Sequence, residues 1–87
     1  MKKELNLTVV ERLLVTLRLM ADKCGVNTLD LAARLEASPK TIARDRDFIR
    51  DRLQIELEYT IFGDKAVFRA KDPSMIPALC KFLARFR

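Results

Sequence analysis

The chain has 87 residues, of which 49% are hydrophobic, and it carries a formal net charge of +5 with a pI of about 9.6. This length predicts one domain with a compact core, and the basic balance favours a polyanionic partner. The sequence lacks histidine, any apolar run near the roughly 20 residues that cross a bilayer, and a continuous apolar leader, which argues against a zinc site, a membrane span and secretion and predicts a cytoplasmic protein.

The first predicted helix covers about residues 9–23. Thr8 and Glu11 have the spacing of a capping box, in which the Thr8 hydroxyl accepts from a free helix N–H and Glu11 reaches back. Gly25 follows as a natural C-terminal stop. The core-facing stripe, at three- and four-residue steps, is Val10, Leu13, Leu14, Leu17, Met20 and Ala21.

Two further helices are expected on either side of a tight turn. Thr28 is expected to cap the second helix. The buried side of that helix carries Leu31, Ala32 and Leu35. Ser38 is expected to cap the third helix, which begins at Pro39 and runs to about Leu53. Its core-facing residues are Ile42, Ile49 and Leu53, with Phe48 at the edge of that face.

After Leu53 the apolar period changes from helical to two, which predicts a strand. One side of this strand carries Ile55, Leu57, Tyr59 and Ile61. Gly63 tolerates the positive φ of a hairpin turn, so the stretch "KAVFRA" is expected to return as a second strand. A last helix is predicted after Asp72, with an apolar stripe at helical spacing that comprises Ile76, Leu79, Cys80, Leu83 and Phe86.

The second and third helices are separated by so short a turn that they must cross steeply, which is the geometry of a helix-turn-helix motif. On a helical wheel the residues of the third helix that face outward are Lys40, Ala43, Arg44 and Asp47. Lys40 and Arg44 are like-charged neighbours, and a phosphate would relieve their repulsion. The free N–H groups at the helix start and the Ser38 and Thr41 hydroxyls are expected to donate to phosphate oxygens.

The acidic residues of the third helix are expected to pair within the chain. Asp47 and Asp51 fall further along the helix, where they can pair with Arg50. Asp45 and Arg52 lie close to the buried side and are expected to form ion pairs with the first helix. For Asp45 the candidate partners are Arg12 and Arg18.

The hairpin has the position of a wing, with Lys65 near its tip and Arg69 and Lys71 following. These cations could contact the DNA backbone or minor groove. In the alternative interpretation Lys65 is only a turn residue. The residues expected to bind DNA are therefore Thr28, Ser38, Pro39, Lys40, Thr41, Ala43, Arg44, Asp47 and Lys65.

The stretch "TLDLAARLEASPKTIARDRDFIRDRL" followed by "IELEYTIFGDKAVFRA" resembles the winged helix-turn-helix domain of DeoR-like bacterial transcription regulators, over about residues 10–70. The most specific part of the resemblance is Leu31, Ala32, Leu35, Ser38, Thr41, Ile42, Arg44 and Asp45. It implies sequence-specific DNA binding, with Lys40, Thr41 and Arg44 on the DNA side. Glu36 stands where the family's turn usually has glycine, and Ala43 leaves at most a methyl contact with thymine.

Together these patterns predict an α+β, mainly α, fold with a winged helix-turn-helix domain at residues 1–71 and an additional helix at residues 72–87. The predicted function is that of a repressor-like regulator of double-stranded DNA. The last helix is the candidate homodimer contact, and the alternative is that it only covers the monomer's core. Many members of the family add a sensor domain after the wing, whereas this chain ends after one helix, so no small-molecule effector site of that kind is expected.

Two other functional classes are alternatives to a DNA-binding regulator. A winged helix can serve as a protein-binding adaptor, in which case Lys40 and Arg44 would not affect DNA affinity. An enzyme is not expected, because the sequence has no histidine, no glycine-rich phosphate loop and no acid pair in a plausible cleft. Cys24 and Cys80 lack partner ligands at metal spacing and are interpreted as small apolar fillers, so no metal and no cofactor is predicted.

Overall fold

The computed structural model describes residues 8–86, so the first seven residues of the predicted N-terminal domain lie outside it. The first helix, α1 (Val9–Met20), begins with the predicted capping box: Glu11 N–H donates to the Thr8 hydroxyl, and Thr8 N–H donates to the Glu11 carboxylate. The helix ends about three residues before the predicted end. The loop that follows contains Gly25 at φ +70°, where a Cβ would lie 2.9 Å from the Phe68 carbonyl oxygen. Glycine is therefore required for this close approach.

The second helix, α2 (Thr28–Leu35), is capped by Asn27 and not by Thr28, which corrects the prediction. The Asn27 Oδ1 accepts from the N–H groups of Leu29 and Asp30 at 2.9 and 3.0 Å. Asn27 Nδ2 also donates to the Ala66 carbonyl at 2.8 Å. An asparagine side chain can both accept at the helix start and donate to a neighbouring strand, whereas Thr28 occupies the first helical position.

The third helix, α3 (Pro39–Asp51), starts where the sequence predicts and ends two residues earlier than expected. Ser38 caps it, accepting from the Thr41 N–H at 3.1 Å. The turn that joins α2 to α3 passes through Glu36 in the left-handed region, at φ 53°. A residue with a Cβ is strained in that region.

An antiparallel hairpin follows, formed by β1 (Leu57–Phe62) and β2 (Lys65–Ala70). Val26 pairs with Phe68 through two 2.9 Å backbone hydrogen bonds, so the loop before α2 forms an isolated β-bridge with β2. The residues that the sequence places on one side of the first strand differ in burial. Ile55 is buried but precedes the strand, whereas Tyr59 and Ile61 are 58% and 66% exposed because the hairpin projects beyond the helices.

The last helix, α4 (Ile76–Leu83), lies between 3-10 turns at Pro73–Met75 and Ala84–Phe86 and packs against α1. Ile76 is buried, and Leu79, Cys80 and Leu83 pack against the same core. The stripe predicted as the dimer contact therefore covers the core of its own chain, except for Phe86, which is exposed. Ile76, Leu79, Cys80 and Leu83 therefore agree with the alternative interpretation, in which this helix covers the monomer's core.

The core is contributed mainly by the helices and closed by the inner side of the hairpin. Its buried members include Leu17 and Met20 of α1, Leu31 of α2, Ile42 of α3 and Phe68 of β2. Residues 8–86 thus form a mainly helical α+β fold with one two-stranded sheet. None of the helices in this range is long and apolar enough to cross a membrane.

Candidate nucleic-acid interface

The amino end of α3 is exposed, and its cations are unpaired. Lys40 and Arg44 lie one turn apart on the solvent side, and neither forms an ion pair within 4.0 Å with any residue in the range 8–86. Ala43 lies beside them and is half-buried. Both side chains are exposed. Two adjacent positive charges therefore face solvent without a carboxylate partner from residues 8–86.

The donors at the start of α3 are fewer than the sequence suggested. Ser38 accepts from the Thr41 N–H and donates its own proton to the Thr41 hydroxyl, at 3.0 Å, so its hydroxyl is already used. Pro39 has no N–H, and the Thr41 N–H is capped. The backbone N–H of Lys40 and the hydroxyl proton of Thr41 remain as donors. In this geometry Ser38 pairs with Thr41, and its donation to a phosphate stays a prediction.

In the second half of α3 the acidic and basic side chains pair with one another. The Asp47 carboxylate lies 3.2 Å from Arg46 and 3.3 Å from Arg50, and Asp51 lies 2.8 Å from Arg50. The hydrogen bond between Arg50 and Asp51 raises the pKa of Arg50 and lowers that of Asp51. The predicted pairing of Asp47 and Asp51 with Arg50 is confirmed. Asp47 is consequently an ion-pair partner here, and within α3 the cations that have no ion-pair partner among residues 8–86 lie at the amino end.

A largely buried ion pair fixes α3 against α1. Arg12 donates from Nε and Nη2 to the two Asp45 oxygens, at 2.7 and 3.1 Å, and Asp45 is only 6% exposed. This hydrogen bonding raises the pKa of Arg12. Of the two partners predicted for Asp45, the structure selects Arg12. The companion prediction for Arg52 is wrong, because Arg52 is exposed and has no ion-pair partner among the described residues.

The cations of the hairpin are paired, in contrast to those of α3. Lys65 Nζ lies 2.8 Å from an Asp30 oxygen of α2, and this contact raises the pKa of Lys65. Arg69 pairs with Glu58 at 3.0 Å and donates to the Lys23 carbonyl. The third pair joins Lys71 to Glu56 at 3.6 Å. Lys65 is therefore a tether between the hairpin tip and α2 and not a free cation.

A groove of about 360 Å³ separates the hairpin from the helices. Thr28 lies at its α2 side, Arg46 at its α3 side, and Tyr59 and Ile61 along β1. Thr28, which the sequence grouped with the amino end of α3, thus lines this groove with Arg46 and the hairpin. The part that Asn27 and Asp30 play in holding the hairpin is not evident from the sequence. The only signal for them was an asparagine placed directly before the expected cap.

Within residues 8–86, no three histidine, cysteine, aspartate or glutamate side chains are grouped so as to hold a metal ion. Cys24 and Cys80 are free thiols that are partly buried. Comparison of the chain with protein-family models, with curated proteins and with solved structures finds no significant match.

Proposed function

We propose that the chain is a sequence-specific regulator that binds double-stranded DNA in the cytoplasm, with a winged helix-turn-helix mode of binding. In this proposal α2 and α3 form the helix-turn-helix, α3 enters the major groove by its amino end, and the hairpin serves as the wing. The observation that carries the proposal is that Lys40 and Arg44, on the exposed first turns of α3, have no ion-pair partner in the described part of the chain. A regulator of repressor type fits a small domain of this kind.

The chemistry of the exposed end matches that of DNA. An arginine side chain can donate two parallel hydrogen bonds to the O6 and N7 atoms of guanine, and a lysine binds either guanine or phosphate. The free N–H of Lys40 and the hydroxyl of Thr41 are suited to a phosphate oxygen at the start of a helix. Ala43, between the two cations, is suited to an apolar contact with a thymine methyl group.

The charge distribution along α3 favours entry by the amino end. Beyond Arg44 the helix alternates arginines with aspartates that are paired to them, so little net charge is left to attract a phosphate backbone. A helix lying flat along the groove would bring Asp47 and Asp51 towards the phosphates, which is unfavourable. Entry by the first two turns places Lys40 and Arg44 against the duplex and keeps the aspartates away.

In this proposal the wing is held at a fixed position beside the helices and contributes little unpaired positive charge. Asn27, the backbone of Val26 and the Asp30 carboxylate all hold β2 against the segment that leads into α2. These contacts fix the angle between the wing and the helices.

The test is enrichment of duplexes from a random-sequence library by the full chain, followed by titration of the enriched duplex at several salt concentrations. The proposal predicts a short consensus and a log–log salt slope that falls by about 0.9 for each phosphate contact that is removed by substitution. Failure to enrich any consensus, with binding no tighter than to random duplex, would contradict sequence-specific recognition.

A protein-binding adaptor is the second candidate function, and one observation favours it. Tyr59 and Ile61 lie next to each other on one side of the hairpin, and each of these large apolar side chains is more than half exposed. Clustered exposed apolar residues are typical of protein contacts. This function predicts that Arg44→Ala leaves DNA affinity unchanged, which is the opposite of what the DNA-binding proposal predicts.

A further inference from the structure

Two phenylalanine rings near the end of the chain are exposed and in contact with each other. Phe82 lies in the last turn of α4 and Phe86 in the 3-10 turn that follows, and they are 51% and 61% exposed. The rings meet edge to face, with centroids 5.4 Å apart. Since Ile76, Leu79 and Leu83 pack against the core, the two rings stand on a side of this segment that the core leaves uncovered. We call Phe82 and Phe86 the aromatic pair.

The charged residues of this last segment are all basic. Lys81 and Arg85 each directly precede one of the two rings, and both are exposed. Neither forms an ion pair with any residue in the range 8–86. Arg87 adds a third positive charge to the sequence, and residues 73–87 contain no aspartate or glutamate. Exposed apolar rings next to unpaired cations are complementary to a partner that is both apolar and negatively charged.

The area of the aromatic pair distinguishes between partners of that chemistry. An aromatic side chain can bury about 150–250 Å², so two that are roughly half exposed offer about 200 Å². A specific protein interface buries about 800 Å² on each partner, which is several times more. A lipid bilayer sets no such minimum, because aromatic side chains at the headgroup level and cations near anionic headgroups add to binding one by one. The small area and the positive charge together favour a lipid surface.

We propose that this end of the chain binds the surface of an anionic lipid bilayer. The aromatic pair inserts at the level of the headgroups, and Lys81 and Arg85 lie beside the lipid phosphates. The contact is with the surface of the bilayer and involves no membrane span. The cytoplasmic leaflet carries negatively charged lipids, so a cytoplasmic protein has access to such a surface. The inference does not rest on the proposed DNA-binding function.

The expected binding is of moderate strength and reversible. Each basic side chain near an anionic bilayer raises the affinity about fivefold at low salt. Insertion of the aromatic pair adds at least about tenfold, because apolar area leaves water. Half of the chain should therefore be bound when the accessible lipid is on the order of 1 mM.

The test is co-sedimentation of the full chain with vesicles of phosphatidylcholine that contain about 30% phosphatidylglycerol, in comparison with vesicles of phosphatidylcholine alone. Binding should be at least about tenfold tighter to the anionic vesicles. Raising the salt concentration from about 0.1 M to about 0.5 M should remove most of that difference. Absence of binding, equal binding to both kinds of vesicle, or a difference that salt leaves unchanged would overturn the inference.

The role of the rings is tested by Phe82→Ser/Phe86→Ser, which should weaken binding to the anionic vesicles at least about tenfold. The matched control, Tyr59→Ser/Ile61→Ser, removes comparable exposed apolar surface from the hairpin and should bind like the unaltered chain. Circular dichroism verifies that each variant is folded. If the first variant binds unchanged, or if the control loses as much, another surface makes the contact and the inference is wrong.

The role of the charges is tested by Lys81→Gln/Arg85→Gln, which should weaken binding to the anionic vesicles about 10- to 30-fold at low salt. Lys40→Gln/Arg44→Gln removes two other cations that have no ion-pair partner among residues 8–86 and should weaken it less than about threefold. Equal losses would mean a general attraction of a basic protein and would overturn the inference. Vesicle binding that persists in a chain without DNA binding would contradict the proposed function alone.

An acidic protein segment is the other partner whose charge would match, and polyglutamate serves as its probe. The inference predicts that polyglutamate binds more weakly than the anionic vesicles and that Phe82→Ser/Phe86→Ser leaves this binding unchanged. If polyglutamate binds as tightly as the vesicles and the same variant weakens it, the surface is one for an acidic protein segment, and the lipid inference is overturned.

Discussion

The amino end of α3 and the hairpin are both basic in sequence, but their cations stand in different environments. Lys40 and Arg44 have no carboxylate partner within the described range, whereas Lys65, Arg69 and Lys71 each lie within 3.6 Å of one. The count of positive residues along the chain therefore overstates the charge that the hairpin can offer. A cation is available to bind a polyanion only where the fold has not already placed an acidic side chain beside it.

The largest expected effect comes from removing Lys40 and Arg44 at the amino end of α3. Lys40→Ala/Arg44→Ala should weaken binding to the enriched duplex about 100-fold, since each lost contact costs about 1–3 kcal/mol. The measurement is fluorescence anisotropy at several salt concentrations. The matched control, Arg69→Ala/Lys71→Ala, removes the same number of charges from the hairpin and should weaken binding less than about fivefold, because those charges are already paired. Equal losses would remove the distinction between the two regions.

Arg12→Ala should have the next largest effect, and on stability. It removes the partner of the Asp45 side chain, which is only 6% exposed. Removing one member of a largely buried pair costs several kcal/mol, so we expect the free energy of unfolding to fall by about 2–4 kcal/mol in urea titrations. Lys65→Ala, which breaks the half-exposed pair with Asp30, should cost less than about 1 kcal/mol. The prediction is wrong if the two substitutions cost the same.

A smaller effect is expected from freeing the hairpin cation. Asp30→Ala releases Lys65 and changes the formal net charge from +5 to +6. DNA affinity should rise about two- to fivefold at low salt and be unchanged at high salt. The double variant Asp30→Ala/Lys65→Ala should return to the affinity of the unaltered chain. If Lys65→Ala alone weakened binding tenfold, Lys65 would already serve the DNA in the unaltered chain, and the tether interpretation would fail.

The smallest expected effect concerns the backbone at the far end of α3. Gln54 has φ 58°, in the left-handed region that disfavours a side chain. Gln54→Gly should raise the free energy of unfolding by about 0.5–1 kcal/mol, because the relief of strain exceeds the added entropy of the unfolded chain. DNA affinity should not change, since this end of α3 faces away from the proposed interface. Thermal unfolding checks the first statement, and an altered DNA affinity would contradict the second.

The local features of the fold were predictable because short-range chemistry determines them. The capping box at Thr8 and the cap at Ser38 both follow from residues within a few positions of one another. The pair between Arg12 and Asp45 was also predictable, because helical periodicity places both near the buried side. The sequence suggested two partners for Asp45, and packing selected one.

Contacts that depend on how distant segments meet were not predictable. The Lys65 tether requires the hairpin tip to reach α2, and residues 30 and 65 are far apart in the chain. The choice of Asn27 over Thr28 as a cap depends on the Ala66 carbonyl beside it. In α4 the apolar arc is so wide that periodicity cannot tell which part of it faces the core. The structure assigns Ile76 to the core and leaves Phe82 and Phe86 exposed.

The most direct test of the central claim is backbone amide chemical-shift mapping of the full chain as the enriched duplex is added. The account predicts that the largest shifts occur in residues 38–44, with smaller changes in residues 65–71. Large shifts confined to the hairpin, with residues 38–44 unaffected, would contradict the claim that the free cations of α3 meet the DNA.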